Sequence, residues 1–346
     1  MKKLSVCVLF GGVSPEHEVS LRSAESVLNN LDKEKYNIFP VGITKTGEWI
    51  LYGGRDYSKL PTGEWQHCPE NRRAAISPVR GQGLLNFEGD CVVRERIDVV
   101  FPVLHGENGE DGSIQGCCGC KPTLCRTGRG GLRYLDKTLT AGIRQAAWRL
   151  VTARELANNP EAVLDGVEKA FSYPVFIKPA GTGSSVGVSK AKNREALLAA
   201  LTNASKYDSK ILVEEFINGR EVEVAVLGNA GPAASVCGEI DSGTEFYDYD
   251  AKYISDCAQL YIPARIPEEV SERVRDNAIR IYEAMGCRGL SRVDFFVTYE
   301  GQEIVFNEIN TLPGFTSISM YPKLFEASGI PYPELLDNLI ELALED

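Results

Sequence analysis

Arg292-Val293-Asp294-Phe295-Phe296-Val297, followed after Tyr299-Glu300-Gly301-Gln302 by Ile304-Val305-Phe306-Asn307-Glu308-Ile309-Asn310, decides the fold of this 346-residue chain. Both runs are short, apolar and aromatic, as buried strands are, and the residues between them signal a turn, so the stretch predicts a hairpin. If the hairpin is symmetric about Gly301, Asp294 faces Glu308. Side chains alternate across a sheet, so Glu308 shares a face with Asn310, and Arg292 shares one with Asp294. Two carboxylates, an amide and a guanidinium then gather at one end of a two-stranded ribbon. Carboxylate and amide oxygens are hard ligands, suited to Mg²⁺ bridging nucleotide phosphates. Taken alone, the same hairpin also suits an exposed face laced with salt bridges.

A second segment shifts that balance. Tyr173-Pro174-Val175-Phe176-Ile177-Lys178-Pro179 reads as a strand ending in a lysine, and Ala180-Gly181-Thr182-Gly183-Ser184-Ser185-Val186-Gly187 comes next. Glycines let backbone N–H groups approach phosphate oxygens, and the serines add donors. The loop is not a Walker A loop, because no Gly-Lys-Ser/Thr ends it. Its glycine spacing does not fit the dinucleotide fingerprint either.

The rest of the chain reads as alternating strands and helices. Leu4–Phe10 is a strand-like run broken by Gly11-Gly12, and Leu21, Ala24, Val27, Leu28 and Leu31 keep to one helical face behind it. Ile38–Ile43 and Asp98–Leu104 are further strand-like runs, which makes an open α/β domain over residues 1–116. Residues 117–209 form a second unit, with a helix at Arg194–Leu201. Residues 210–346 form a third, with strands at Lys210–Glu215 and Glu221–Leu227 and an aperiodic, tyrosine-rich loop at 241–260. A helix at Glu268–Met285 precedes the hairpin; a loop at Thr311–Tyr321 and a helix at Tyr332–Leu344 follow it.

Composition excludes several classes. The formal charge is −11 at pH 7 and the basic residues are scattered, which disfavours nucleic-acid binding through phosphate neutralisation. No apolar run approaches the roughly 20 residues of a membrane span. No cleavage site follows the N-terminus, so no signal peptide and a cytoplasmic location are expected. Cys7, Cys68, Cys91, Cys237, Cys257 and Cys287 are scattered and read as free or buried thiols in a reducing compartment.

Together these motifs resemble the D-alanine–D-alanine ligase family of ATP-grasp enzymes. The resemblance runs over residues 4–116 and 165–346. It rests on Phe10-Gly11-Gly12-Val13-Ser14-Pro15-Glu16-His17-Glu18-Val19-Ser20-Leu21, on His105-Gly106-Glu107-Asn108-Gly109-Glu110-Asp111-Gly112 with Gln115-Gly116, and on the loop at 181–187. Tyr247-Asp248-Tyr249-Asp250-Ala251-Lys252-Tyr253, Arg292 with Asp294, and Asn307–Thr316 complete it. The fold it implies is an open α/β N-terminal domain followed by an ATP-grasp fold of two subdomains, α+β in its C-terminal part.

The resemblance also implies site roles. Lys178 and Lys137 contact nucleotide phosphates; Glu214, Phe216 and Ile217 line the adenine pocket, and Glu221 holds the ribose. Asp294, Glu308 and Asn310 bind two Mg²⁺ ions, replaceable by Mn²⁺. Glu18 fixes the ammonium of the first D-alanine, with Ser184 and Tyr253 beside it and His105 near its carboxylate. Arg292 and the N–H of Gly314 stabilise an oxyanion, and Lys252 and Tyr253 ride on a loop that closes over the site. Ser319 and Met320 line the second-substrate pocket, where an apolar methionine suits D-alanine better than D-serine. The implied activity is ATP-dependent formation of D-alanyl-D-alanine for peptidoglycan precursors, through an acyl phosphate. A D-alanine–D-serine ligase and a catalytically impaired relative are the alternatives, and a homodimer is the implied assembly.

One block departs from the family pattern. Where an apolar helix is expected after Gly116, the chain reads Cys117-Cys118-Gly119-Cys120-Lys121-Pro122-Thr123-Leu124-Cys125-Arg126-Thr127-Gly128-Arg129-Gly130-Gly131-Leu132-Arg133-Tyr134, and Leu135-Asp136-Lys137 rejoins the pattern. No second ligand pair stands at zinc-finger spacing. The block has the cysteine-, glycine- and arginine-rich character of an out-of-frame stretch.

Overall fold

In the computed structural model, residues 2–79, 81–106, 108–110, 112–118, 142–181, 186–241 and 259–345 are described. The first βα unit forms as expected: β1 (Leu4–Gly11), α1 (His17–Asn30) and β2 (Tyr36–Ile43). Short strands β3 (Trp49–Leu51), β4 (Arg72–Ile76), β5 (Leu84–Glu88) and β6 (Cys91–Glu95) meander away before β7 (Val99–Val103) returns beside β1. The resulting seven-stranded sheet has the order β6-β5-β4-β3-β2-β1-β7. β1 is parallel to both β2 and β7, whereas β3 to β6 add antiparallel strands. This N-terminal sheet is therefore mixed. A short helix, α2 (Ser113–Cys118), follows it.

The second sheet is built from β8 (Trp148–Thr152), α3 (Ala153–Asn158), α4 (Pro160–Ala170), β9 (Val175–Pro179), β10 (Ser189–Ala191), α5 (Arg194–Ala204) and β11 (Lys210–Glu215), with strand order β10-β9-β11-β8. α3 starts on a capping box between Thr152 and Glu155, and α4 starts on Asn159 followed by Pro160, both strong start signals. Val175, Ile177, Ile211 and Val213 are fully buried on the face covered by α4 and α5. The alternate residues Phe176, Lys178 and Glu214 stand on the opposite face.

The third sheet holds β12 (Gly219–Gly228), β13 (Ala233–Ala234), β14 (Gly238–Asp241), β15 (Gln259–Tyr261), β16 (Gly289–Thr298) and β17 (Ile304–Asn310), in the order β15-β14-β12-β16-β17 with β13 on β12. Helix α6 (Glu268–Ala284) covers the face made by Val222, Val224, Val293, Phe295 and Phe306. Period-two alternation then leaves Glu221, Glu223, Arg292 and Asp294 on the other face. Two helices close the chain, α7 (Met320–Ala327) and α8 (Tyr332–Leu344). The loop expected at Thr311–Tyr321 thus ends at Ser319. An eight-residue helix with Pro322 in its first turn shows too little period to read from sequence.

An aromatic seam fixes that loop against the first sheet. Phe315 meets Phe101 of β7 edge-on at 6.0 Å, Tyr321 at 5.5 Å and Tyr332 at 6.2 Å between ring centroids. The Tyr332 hydroxyl donates to the Phe315 carbonyl at 2.9 Å, and Tyr36 and Lys35 bind Asp337 of α8. The segment leaving β17 is held on the C-terminal ends of β1 and β7, the edge where open α/β sheets carry ligands.

No helix among the described residues is long and apolar enough to cross a membrane. Among the described residues, Cys7, Cys237 and Cys287 are buried and outside any disulfide, Cys68 is half-buried and Cys91 exposed. Cys257 and Cys120, Cys125 and the rest of the departing block at 119–134 lie outside the described residues, as do Lys137, Ser184, Lys252 and Tyr253.

Candidate functional site

The carboxylate hairpin forms, and its register contains a bulge. Near the turn Val297 pairs with Ile304 and Phe295 with Phe306; beyond a shift at Asp294/Phe295, Asp294 pairs with Glu308 and Arg292 with Asn310. One extra residue on β17, Asn307, absorbs the difference. On the other side of β16, Glu223 pairs with Asp294. Glu223, Asp294 and Glu308 therefore form a row across three adjacent strands on one face.

Arg292 neutralises that row. Its Nε and Nη2 donate to the two Asp294 oxygens at 2.8 and 2.7 Å, and Nε stands 3.1 Å from Glu223 Oε2. Burial favours the neutral guanidine, but Asp294, Glu223 and Glu308 outweigh it and hold Arg292 firmly protonated. Among the described residues, no three His, Cys, Asp or Glu side chains gather as a cage for a metal ion. Asp294, Glu308 and Asn310 offer oxygen donors only, on paired positions of one face. That suits Mg²⁺, which binds through one or two carboxylates plus substrate phosphates rather than in an all-protein cage.

The second sheet faces this row. Lys178 Nζ lies 2.7 Å from Glu214 Oε2 on the neighbouring strand and donates to Asn307 Oδ1, on β17 of the third sheet, at 3.2 Å. Burial works against the charge of Lys178, but Glu214, Glu308 and Glu221 raise its pKa above the ordinary value. Phe216 stacks on Phe176 with centroids 6.1 Å apart, and Lys190 Nζ sits 4.1 Å from the Phe216 ring centre. Ile217 is half-buried beside it, and Glu221 lies near the start of β12, opposite Phe296. Phe176 and Lys190 were not singled out from the sequence. They face each other across β9 and β10, a pairing that only the register reveals.

On the first sheet the chemistry centres on residues around His105. Its Nδ1 lies 3.1 Å from the Leu312 carbonyl, and its Nε2 is buried with no hydrogen-bond partner among the described residues. Burial lowers the His105 pKa, with Glu16 acting in the opposite sense. Glu16 is buried against Gly106; a Cβ on Gly106 would stand 2.4 Å from Glu16 Oε2. Gly106 also has φ +68°, a left-handed conformation that favours glycine. Glu18, by contrast, is exposed and its carboxylate pairs with Lys45. The sequence singled out Glu18 and passed over Glu16, because two acids at a helix start look alike without a tertiary contact.

Glu110 completes this group. Burial and the nearby Glu16 push its carboxyl up to about 8. The folded state then binds a proton that the unfolded chain releases near its ordinary value of 4.5. Stability is expected to fall as pH rises from about 5 to about 8, with a slope approaching 1.4 kcal/mol per pH unit, and to level off above. Urea denaturation across that range tests this: Glu110→Gln should flatten the slope, and an unchanged slope would rule Glu110 out as its source.

The loop after β17 is tightly tied. Ser319 Oγ lies 3.0 Å from the Thr316 N–H and 2.8 Å from Thr316 Oγ1. Gly314 packs so closely here that a Cβ would stand 2.7 Å from Ser319 Oγ. Met320 is buried, and its methyl group lies where a Cβ on Gly238 would come within 2.6 Å. The structure therefore brings Lys178, Glu214, Arg292, Asp294, Glu308 and Asn310 together. It turns Met320 into the core and Glu18 toward solvent.

The family model described as D-ala D-ala ligase N-terminus matches residues 5–121, and that described as D-ala D-ala ligase C-terminus matches residues 138–341. The D-alanine–D-alanine ligase of Acetivibrio thermocellus is 47% identical over 363 aligned residues, covering 99% of this chain and 96% of that protein. That of Caldicellulosiruptor bescii is 48% identical over 356, covering 100% and 96%. Among solved structures, the VanG D-Ala:D-Ser ligase from Enterococcus faecalis superimposes with a TM-score of 0.86 at 38% identity, covering 99% of this chain and 100% of that one. The D-alanine-D-alanine ligase from Coxiella burnetii gives 0.84 at 32% identity, covering 99% and 94%.

Proposed function

Because the chain belongs to the D-alanine–D-alanine ligase family, with its ATP-grasp fold, we propose that it joins two D-alanines to D-alanyl-D-alanine, a peptidoglycan precursor, driven by ATP in the cytoplasm. The observation that carries this reading is the convergence of Lys178 on one sheet with the Arg292, Asp294, Glu308 and Asn310 face of another. A cationic side chain opposite hard oxygen donors is what phosphoryl transfer requires.

In this reading residues 1–116 hold the first substrate, and the units 117–209 and 210–346 clasp the nucleotide. Glu214, Phe216 and Ile217 receive the adenine, Glu221 the ribose, and Lys178 and Lys137 the phosphates. Asp294, Glu308 and Asn310 would hold two Mg²⁺ ions, which when bound neutralise charge on the transferring phosphoryl group. Glu18, expected at the ammonium of the first D-alanine, is exposed and paired with Lys45, so the buried Glu16 beside Gly106 and His105 takes that role, with Ser184 and Tyr253, and His105 stands at the carboxylate. A carboxylate oxygen of that substrate attacks the γ-phosphorus and ADP departs, leaving an acyl phosphate. The neutral amine of the second D-alanine attacks the carbonyl carbon, and Arg292 with the N–H of Gly314 stabilises the oxyanion. Phosphate then leaves and the nitrogen gives up a proton. Lys252 and Tyr253 exclude the water that would otherwise hydrolyse the acyl phosphate.

D-Serine as second substrate is the competing reading, supported by the fit to the VanG ligase. The surroundings of Ser319 favour D-alanine, because its hydroxyl is already engaged by Thr316; Met320, expected in the same pocket, packs into the core instead. A homodimer is supported by the open edge of β6, where Val92 and Val93 are exposed beside Phe87.

The test is phosphate release from ATP and Mg²⁺ with D-alanine alone and with added D-serine, the products identified by mass. D-Alanyl-D-alanine is expected as the main product in both. D-Alanyl-D-serine as the main product of the mixture would favour the competing reading. A folded chain with no D-alanine-dependent release would be a catalytically impaired relative.

A further inference from the structure

The bulge on β17 introduces a residue to which the reaction described above gives no part. Pairing near the turn runs Val297 with Ile304 and Phe295 with Phe306; continued without interruption it would set Asp294 opposite Asn307. The extra residue instead restores Asp294 to Glu308 and leaves Asn307 unpaired in the ladder. Bulges of this kind re-aim a side chain beside active sites. Here the re-aimed side chain crosses to the other sheet, where Asn307 Oδ1 accepts from Lys178 Nζ at 3.2 Å.

We infer that Asn307 is a positioning residue for Lys178, holding its ammonium toward the third sheet and against the pull of Glu214. The inference rests on the reading that Lys178 contacts nucleotide phosphates. Lys178 is a point charge on a flexible stem, and its other polar contact among the described residues is the carboxylate of Glu214 at 2.7 Å. With Glu214 alone the ammonium would settle on its own sheet, its charge matched by a carboxylate. An amide oxygen adds a fixed acceptor without adding charge, so the cation stays available to phosphate. An aspartate at this position would cancel it. The same inserted residue also sets the Asp294–Glu308 pair, so the spacing of the metal-facing oxygens and the placement of the lysine have one cause.

A double-mutant cycle on nucleotide affinity tests this. The Kd of Mg²⁺-ADP would be measured by calorimetry for the unaltered chain, Lys178→Met, Asn307→Leu and the double variant, with the KM for D-alanine recorded beside it. Asn307→Leu should weaken Mg²⁺-ADP by about tenfold, as loss of a hydrogen bond to a charged group does, and leave the D-alanine KM unchanged. The double variant should bind no more weakly than Lys178→Met alone, because Asn307 acts through the lysine. If Asn307→Leu does not fold, Asn307→Ser, which stays polar but stops short of Lys178, gives the same comparison. Unchanged affinity in the Asn307 variant, or losses that add in full in the double variant, would overturn the inference. Unchanged affinity in Lys178→Met would instead overturn the phosphate reading on which it rests.

Discussion

Arg292→Met is expected to lower D-alanine-dependent phosphate release by about 10²- to 10³-fold, the usual loss when an oxyanion donor is removed. It should also destabilise the fold by about 3–5 kcal/mol, because Glu223 and Asp294 are left buried without their counter-charge. Methionine fills most of the arginine volume, so a cavity contributes little. Arg292→Lys separates the two effects. A lysine restores a positive charge, and with it part of the stability, but one ammonium cannot reproduce the paired donation to both Asp294 oxygens. Steady-state rates and urea midpoints on the same preparations check this. A methionine variant within a few fold of full activity would remove Arg292 from the chemistry.

Glu308→Gln is expected to act differently. Glu308 is exposed, so the change should shift stability by no more than about 0.5 kcal/mol. It removes one of the two carboxylates in the metal-facing set, and the Mg²⁺ concentration for half-maximal rate should rise roughly 10- to 100-fold. Part of the lost rate should return at high Mg²⁺, because the glutamine oxygen remains a weak donor in the same place. An unchanged Mg²⁺ requirement would mean that Glu308 holds no metal. Lys178 offers a second reading of the same variant: Glu308 helps to keep it protonated, so its pKa should move down toward the ordinary value.

The hairpin was legible because its strands are short, apolar and separated by strong turn residues, and its facing pair Asp294–Glu308 forms as expected. The route to that pair was not legible. Symmetry about Gly301 gives the right partners only because a bulge corrects a register that starts one residue off at the turn. A bulge leaves no signature in hydrophobic period, so Asn307 could not be singled out. Strands β3 to β6 were missed for another reason: they are three to five residues long, and β6 is almost wholly exposed, so they carry little alternation. Glu16, Phe176 and Lys190 owe their surroundings to contacts across strands or between the segments that follow β1 and β7. Those contacts depend on register rather than on composition. Glu268–Ala284 and Tyr332–Leu344, both long and amphipathic, matched their expected spans to within a residue.

The route through an acyl phosphate can be followed by a label. D-Alanine carrying ¹⁸O in its carboxylate would be turned over with ATP and Mg²⁺, and the phosphate, the nucleotide and the dipeptide examined by mass. One carboxylate oxygen becomes the bridging oxygen of the acyl phosphate and leaves with phosphorus when the second amine attacks. The released phosphate should therefore carry one ¹⁸O, with ADP unlabelled. Label in AMP, or unlabelled phosphate formed alongside dipeptide, would contradict phosphoryl transfer to the D-alanine carboxylate at this site.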